Sequence, residues 1–396
     1  MEQREEEKNE DTQRKRRKTS SSSFIPVDVT SEIFLRLPAK SVVRFRSVSK
    51  LWSSITTAPY FTNSFETRPN LLFFFKEDNR FFVVTIPQQS RIPKESYSYS
   101  SSQILDSYYT TYPKSVCFTI KTESVHGLIC FQRGTKPILW NPTMRKFLPL
   151  PKPDTSWETL TTFLGYDPIE GKHKLVSMQS DKVSDECRVL TVESGKKSWR
   201  TVKNNYRHRP CRGNRKDNYG PCRCINGVLY YRAEIGPNKF IMSFDVKSEK
   251  FHKIITLPWG GEFAPTMMVS YKGKLAYLGC YSYGIKNSLL MWVLEDAEKR
   301  EWSSHSILPI SHYDRGAENN FKLIGTTNDG ELIYVPNTVF ESFDVVYIDP
   351  VRETFRRVKY KGVADKEFRR RNGLGADKAF RGVQYSPNHI ETLMSL

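Results

Sequence analysis

A turn module recurs along most of this chain at a nearly constant interval, and this periodicity constrains the fold more than any single motif. Each copy has an apolar segment, then Asn, Asp or Glu at the start of a polar turn, then an aromatic residue six or seven positions later. Copies begin at 141, 193, 245, 295 and 349, so successive starts differ by 50 to 54 residues, and a further copy begins at 167. A repeat of this length is typical of stacked structural units.

A second signal, a Gly-containing turn followed by an apolar segment, precedes four of these modules. Its copies are HGLICF from 126, NGVLYY from 226, KGKLAY from 272 and DGELIY from 329. Two hairpins per interval correspond to four strands per repeat, and four-stranded sheets stacked around an axis bury both faces, which predicts a β-propeller. The interval predicts about six blades. A pair of packed sheets is the alternative, but it would not require such regular spacing.

Before the repeats, residues 25–65 read as three short amphipathic helices. In the first, Val29, Ile33 and Leu37 recur every four residues and share one helical face. Pro38 ends that helix because it has no amide to donate. Three helices of this length bury too little apolar surface to be very stable alone, so we expect a partner to complete the packing. A small structural cap on the next domain is the alternative.

The second and third helices complete this pattern. The second places Val42 and Phe45 inward, and either Ser47 or Ser49 caps the third, which Pro59 stops. The residues that we expect in the helical core are Leu51, Trp52 and Ile55.

Several residue pairs in this segment keep a characteristic order and spacing. They are Ile25-Pro26, Glu32-Ile33, Leu37-Pro38, Lys40-Ser41, Arg44-Phe45, Val48-Ser49-Lys50 and Trp52. In this the segment resembles the F-box of plant F-box proteins. The resemblance implies docking on the Skp-type adaptor of a cullin-based (SCF) ubiquitin ligase. The residues expected in that contact are Pro26, Val29, Ile33, Leu37, Pro38, Val42 and Phe45.

A second resemblance concerns the repeats. The phrase LWNPTMRKFLPLP at 139–151, with YDP at 166–168, is similar to the F-box-associated, kelch-like domain that follows the F-box in a large plant family. Trp140 is expected to fill a blade core. The implied organisation is a charged, disordered tail (1–24), a three-helix F-box (25–68) and a kelch-like β-propeller of about six blades (69–390) that binds substrate.

The two resemblances together imply a non-catalytic adaptor that recruits a protein target for ubiquitination. No phosphate-binding Gly-rich loop, nucleophile elbow or HExxH sequence is present, and no cofactor is expected. His208, Cys211, Cys222 and Cys224 are the best candidates for a metal site, but their spacing matches no ordinary zinc site, so none is predicted. The alternative function is a basic nuclear propeller that binds nucleic acid, with its F-box-like helices as a cap.

Charge and cysteine content narrow the location and the partners. The net charge of +18 favours acidic partners. No apolar run approaches the length of a membrane span, and the seven cysteines are odd in number and scattered, which favours a reducing compartment. The run Arg14–Lys18 resembles a nuclear-import signal, although a solvated charged tail explains it equally well. We expect the nucleus, the cytoplasm or both.

One segment of the repeat region is unusually basic. Between 200 and 216 it has seven cations and no acid, and we expect it to form a long exposed loop. Such a loop can simply be solvated, can capture an acidic segment of a protein substrate, or, as the less favoured choice, can follow nucleic-acid phosphates. The residues of this candidate substrate-capture loop are Arg200, Lys203, Arg207, Arg209, Arg212, Arg215 and Lys216.

Overall fold

The computed structural model describes most of the chain beyond residue 24. The described residues are 25–65, 69–77, 79–88, 97–111, 122–193, 198–211, 222–254, 263–281, 289–317, 320–340, 343–375, 378–380 and 382–396. The charged tail at 1–24, with its candidate import signal, lies outside them. The chain divides into two compact units, Met1–Phe65 and Glu66–Leu396, which we call the helical unit and the β unit.

The helical unit has four helices in residues 25–65, where the sequence predicted three. They are α1 (Val27–Leu35), α2 (Ala39–Phe45), α3 (Lys50–Thr57) and α4 (Pro59–Ser64). Ser49 caps α3, because its hydroxyl accepts a hydrogen bond from the Trp52 N–H at 3.0 Å. Pro59 follows the end of α3 and also opens α4, since a helix needs no N–H donor from its first residue.

Three aromatic rings form the centre of the helical unit. The Phe34 ring lies 5.5 Å from the Phe45 ring and 5.1 Å from the Trp52 ring, and the last two are 5.2 Å apart, measured between centroids. Tilted and edge-on contacts at these distances are favourable for aromatic pairs. Ile55 is also buried, with 4% of its surface exposed.

In its described residues the β unit is built almost entirely of antiparallel strands, with two short helices, α5 (Ile310–Tyr313) and α6 (Lys366–Arg371). The strands are β1 (Asn70–Glu77), β2 (Arg80–Pro87), β3 (Tyr97–Gln103), β4 (Asp106–Thr110), β5 (Ile129–Arg133), β6 (Lys136–Asn141), β7 (Lys146–Pro149), β8 (Leu160–Asp167), β9 (Lys172–Gln179), β10 (Ser184–Thr191), β11 (Arg200–Pro210), β12 (Cys222–Ile225), β13 (Val228–Ile235), β14 (Asn238–Asp245), β15 (Phe251–Ile254), β16 (Phe263–Tyr271), β17 (Lys274–Tyr281), β18 (Leu289–Asp296), β19 (Glu301–Ile307), β20 (Phe321–Thr326), β21 (Leu332–Pro336), β22 (Phe343–Asp349), β23 (Thr354–Lys361) and β24 (Gln384–His389).

Hydrogen bonds join these strands into five sheets within the described residues. The orders are β24-β1-β2-β4, β5-β6-β7, β16-β17-β18-β19 and β20-β21-β22-β23-β3, and the fifth sheet runs from β8 through β15 with eight strands. Four of the five sheets have at least four strands. The predicted number of about six blades is therefore not confirmed, because β11 pairs with β13 and merges two runs of strands into one sheet.

Apolar clusters shared by neighbouring sheets connect the five sheets in a closed cycle. Between the β1 sheet and the β5 sheet, for example, the rings of Phe74 and Phe81 each pack 5.2 Å from the ring of Trp140. Trp140 is fully buried, as predicted. Because each sheet is covered on both faces, strands such as β1 and β9 are buried along most of their length rather than in alternation.

Two strands from distant parts of the chain close this cycle. β24, near the C-terminus, pairs with β1. After β2 the chain crosses to another sheet, where β3 pairs in parallel with β23 over seven residue pairs. It then returns to the first sheet, where β4 pairs with β2. The C-terminal residues continue onto the next sheet. There the Asn141 side-chain amide donates to the Met394 carbonyl at 2.8 Å.

The turn modules owe their recurrence to one backbone geometry. In each described copy an Asn or Asp Oδ1 accepts a hydrogen bond from a backbone N–H two or three residues on, and the residue four positions on has a φ of 52° to 67°. The predicted start at Glu295 is wrong by one residue, since Asp296 is the acceptor, and the copy after Glu193 extends outside the described residues. The five acceptors are Asn141, Asp167, Asp245, Asp296 and Asp349.

Three of the Gly turns also share a geometry. Gly127, Gly227 and Gly273 and the residue before each have φ between 41° and 82°, the combination that defines a type I′ hairpin turn. Along the chain, two strands separate the Gly turn of a sheet from the Asn or Asp turn module of the same sheet. The two turns therefore lie at the same end of that sheet. The Val246 N–H, beside the Asp245 turn, accordingly donates to the Gly227 carbonyl at 2.9 Å.

We expect Gly127→Ala to destabilise the β unit by at least about 2 kcal/mol. A Cβ at this position, where φ is +82°, would lie 2.6 Å from the Thr392 side chain and 2.7 Å from the Ile390 carbonyl oxygen, so the C-terminal segment would have to move. Gly134→Ala is the matched control, since its φ is +56° but nothing lies within 4 Å, and it should cost about 1 kcal/mol. Urea unfolding of both variants measures the difference, and equal losses would contradict the prediction.

Candidate functional site

The helical unit exposes apolar side chains on one of its helices. Val29 and Ile33, one turn apart on α1, have 44% and 45% of their surfaces exposed, whereas Phe34 on the same helix is buried. Exposure of large apolar residues this close together costs free energy in water and typically marks a binding surface. Other exposed apolar residues of this unit are Ile25, Val27, Val48, Leu51 and Tyr60.

The remaining predicted docking residues fall into two groups. Pro26 and Pro38 are exposed and Leu37 is half-buried, so they are accessible together with Val29 and Ile33. Val42, in contrast, is completely buried, and Phe45 packs on Phe34 and Trp52. Val42 is therefore corrected to an interior residue, because α2 buries it completely, whereas Phe45 is half-buried and its part in docking stays a prediction.

The predicted helical core also needs one correction. Ile55 is buried and Trp52 lies in the aromatic centre, but Leu51 is 38% exposed. Leu51 stands in the first turn of α3, and it is the next residue, Trp52, that packs on Phe34 and Phe45. The core residue that the spacing of Val29, Ile33 and Leu37 did not indicate is Phe34, which is buried.

The basic segment is a strand rather than the predicted loop. Residues 200–210 form β11, and Arg212, Arg215 and Lys216 lie outside the described residues. Arg200 forms an ion pair with Glu249, and the Arg209 Nε lies 3.0 Å from the Glu234 Oε1. Only Lys203 and Arg207 of the described cations are exposed without a described ion pair, so capture of an acidic partner by this segment stays a prediction with a smaller charged surface than expected.

The residues considered as candidates for a metal site pack inside the β unit instead. The His208 Nε2 lies 2.7 Å from the Tyr231 hydroxyl, its Nδ1 lies 2.7 Å from the Tyr206 carbonyl, and burial lowers its pKa. Burial also raises the pKa of Cys211 to about 11 and raises that of Cys222. Within the described residues no group of His, Cys, Asp and Glu side chains is arranged to hold a metal ion.

The β unit contains a cavity that the sequence did not indicate. It has a volume of about 420 Å³ and lies where β8, β12, β16, β20 and β24 end, beside the turns at Gly127 and Gly227. The sequence located those turns, but it could not show that they converge, because their residues are far apart along the chain. We call this space the axial cavity.

An ion pair lies in the wall of the axial cavity. The Arg223 Nε is 3.4 Å from one Glu123 carboxylate oxygen, and the other oxygen accepts a hydrogen bond from the Cys224 N–H at 2.7 Å. Arg223 also donates to the Cys222 carbonyl at 2.7 Å. Arg223 is only 4% exposed, so its charge is neutralised within the wall rather than by solvent.

Two histidines lie beside the cavity. His126 stacks on Tyr166 with 3.6 Å between ring centroids and is exposed. His389 hydrogen-bonds the Ser124 hydroxyl at 2.8 Å, and burial lowers its pKa to about 3. The buried His389 imidazole is therefore uncharged at neutral pH and adds no positive charge beside the cavity.

None of the helices in the described part of the chain combines the length and the apolar character that a bilayer crossing needs.

A small helical unit with an exposed apolar surface, followed by a closed cycle of mainly antiparallel sheets, defines a two-part protein with a helical N-terminal unit and a propeller-like β unit. Comparison with known families assigns both parts. Residues 23–64 match the F-box domain, and residues 70–390 match the F-box associated beta propeller domain. The chain therefore belongs to the F-box proteins that carry this propeller domain, as both sequence resemblances indicated.

Arabidopsis thaliana has close relatives of this chain. F-box protein At1g48060 is 66% identical over 94% of this chain and 93% of its own length. Putative F-box protein At1g47730 is 64% identical over the full length of both. Among solved structures, a nidogen/laminin complex matches with a TM-score of 0.42 and 10% identity over 80% of this chain and 98% of the matched chain, which is too distant to carry an argument.

Proposed function

We propose that this chain is the substrate-recognition subunit of an SCF-type ubiquitin ligase, in which the F-box docks on a Skp-type adaptor and thereby on a cullin. The observation that carries this proposal is the exposed apolar pair Val29 and Ile33 on α1 of a segment that matches the F-box domain. Binding of the adaptor would bury this pair, and burial of apolar surface favours association. Pro26, Leu37 and Pro38 complete the proposed contact.

The β unit is proposed to hold the protein target, with 25–68 and 69–390 as the domain bounds and with action in the nucleus, the cytoplasm or both. Its role is binding rather than catalysis. In support, the buried His208 and His389 are hydrogen-bonded inside the protein, and burial raises the pKa of the Cys187 and Cys211 thiols, which disfavours the reactive thiolate. Nucleic-acid binding has less support, since Arg200 and Arg209 are ion-paired with carboxylates.

A kelch-like ring of about six blades remains our proposal for the β unit. It is supported by the eight-stranded sheet, whose first four strands pack through an apolar cluster on β13 and β14 of the same sheet. Phe163 of β8, for example, stacks on Tyr231 of β13 with ring centroids 4.8 Å apart. Face-to-face packing of this kind is what two neighbouring blades would form, with the short β11–β13 pairing as a link between them.

Retention of a cullin by the immobilised full chain tests the proposed function. We expect a purified cullin to be retained only when the Skp-type adaptor is present, because the proposed docking surface on α1 binds the adaptor. The alternative would be supported if neither the adaptor nor the cullin were retained while a mixed-sequence DNA duplex bound in a salt-sensitive manner.

A further inference from the structure

We propose that the axial cavity is a binding site for an uncharged ligand that presents hydroxyl or amide groups, either a polar segment of the target protein or a neutral sugar. The inference deepens the proposed substrate-binding role and rests on it for the protein source. It follows from the place of the cavity, from the chemistry of its wall and from the charge of that wall.

The place of the cavity makes it accessible from one end of the β unit. Its wall is formed by the last residues of strands from several sheets and by the turns that follow them, including exposed Asn226 and Asn328. A volume of about 420 Å³ is within the range of small-ligand sites. A ligand that enters here would contact several sheets at once. Buried apolar clusters between the sheets hold those sheets in place.

The wall is rich in uncharged hydrogen-bonding side chains. Hydroxyls and amides can both donate and accept, so they match ligands with the same groups. The His126 ring, stacked on Tyr166 and itself exposed, adds a flat surface on which an amide plane or a sugar ring can lie. The hydroxyl and amide residues of the wall are Ser124, Asn226, Ser270, Thr326, Asn328, Ser386 and Asn388. Four of them, Ser124, Asn226, Thr326 and Asn388, also hydrogen-bond other residues of the protein.

The charge of the wall selects against ionic ligands. Glu123 and Arg223 are its acidic and basic side chains, and they already pair with each other. A charged ligand would lose its hydration without gaining an uncompensated countercharge, which is costly in a partly enclosed site. An uncharged polar ligand exchanges its hydrogen bonds with water for bonds to the wall at little electrostatic cost.

The test uses the full chain in complex with the Skp-type adaptor and four probes, with binding measured by saturation-transfer NMR and by titration. The neutral probes are the capped peptide Gly-Ser-Asn-Ser-Gly and N-acetylglucosamine. The charged probes are the same peptide with both serines replaced by Asp or by Lys. We expect at least one neutral probe to bind at least about tenfold more tightly than both charged peptides. Binding of the neutral peptide would identify a protein segment as the ligand, and binding of N-acetylglucosamine would identify a sugar.

Ser270→Met is the variant that localises the site. It fills part of the cavity and removes a wall hydroxyl, but it keeps the Ser270 carbonyl that accepts a hydrogen bond from the Thr326 hydroxyl at 2.7 Å. Ser306→Met, the same change at an exposed position of β19, is the matched control. We expect about a tenfold loss of neutral-probe binding for Ser270→Met and none for Ser306→Met.

Three outcomes would overturn the inference. They are binding of the neutral probe that both variants retain, tighter binding of a charged peptide than of the neutral probes, and no binding of either neutral probe. Adaptor binding and the unfolding temperature are measured on the same samples, which shows that each variant is folded. If the adaptor binds and the neutral probes do not, the cavity inference fails alone; if the probes bind and the adaptor does not, the ligase function fails and the cavity site stands.

Discussion

Replacing Ile33 with Asp is expected to weaken binding of the Skp-type adaptor to the full chain by at least about 100-fold, because central apolar contacts dominate such interfaces and a carboxylate buried there would be left without a partner. Ile33 lies on α1 beside Val29, and 45% of its surface is exposed in the free chain. The same exposure means that the folded helical unit loses little packing, so its free energy of unfolding should fall by less than about 1 kcal/mol. Surface plasmon resonance gives the affinity, and denaturant unfolding gives the stability.

Ile169→Asp is the matched control for this experiment. It makes the same chemical change at a residue of the β unit that is 74% exposed, and it should leave adaptor binding unchanged. Equal losses of affinity in both variants would point to a general charge effect and would contradict the α1 docking surface. Unchanged affinity for Ile33→Asp, with the protein folded, would rule out a central role for this residue.

Replacing Glu331 with Ala is expected to destabilise the β unit by about 3–5 kcal/mol, the range found when one partner of a buried ion pair is removed. The Arg356 Nε and Nη2 donate to the two Glu331 carboxylate oxygens at 2.8 and 2.7 Å. Both side chains are almost completely buried, and the Arg356 guanidinium lies 3.7 Å from the centroid of the Tyr347 ring. Without Glu331, a positive charge would remain in the interior with no carboxylate to compensate it.

Two variants separate the buried charge from other effects of this substitution. Glu367→Ala removes the carboxylate of an exposed helical ion pair with Arg371 and should cost less than about 0.5 kcal/mol. The double variant Glu331→Leu with Arg356→Met removes both charges, keeps apolar volume against Tyr347 and should recover most of the lost stability. Urea unfolding followed by tryptophan fluorescence measures all three. A loss in the double variant as large as in Glu331→Ala would show that packing, not charge, is responsible.

How much of the structure the sequence could predict depended on how far apart along the chain the interacting residues lie. The caps and turns were readable because each is satisfied within a few residues, as when Ser49 accepts from the Trp52 N–H or Asp349 from the Val351 N–H. The burial of Trp140 followed from its place in a repeated strand. The basic segment at 200–210 was misread as a loop because its strand pairing depends on β10 and β13, which charge composition does not reveal.

The sequence by itself determined that short helices precede a long series of strands, the period of the turns and the membership of both parts in known families, since these are set by local hydrogen bonding and by residue pattern. Only the tertiary structure decided which apolar side chains of the first two helices face inward. It buries Phe34 and Val42 and leaves Ile33 exposed, because helix packing selects one face among several apolar ones. It likewise decided the parallel pairing of β3 with β23 and the axial cavity. Both bring together residues far apart along the chain, and no local pattern encodes the distance between them.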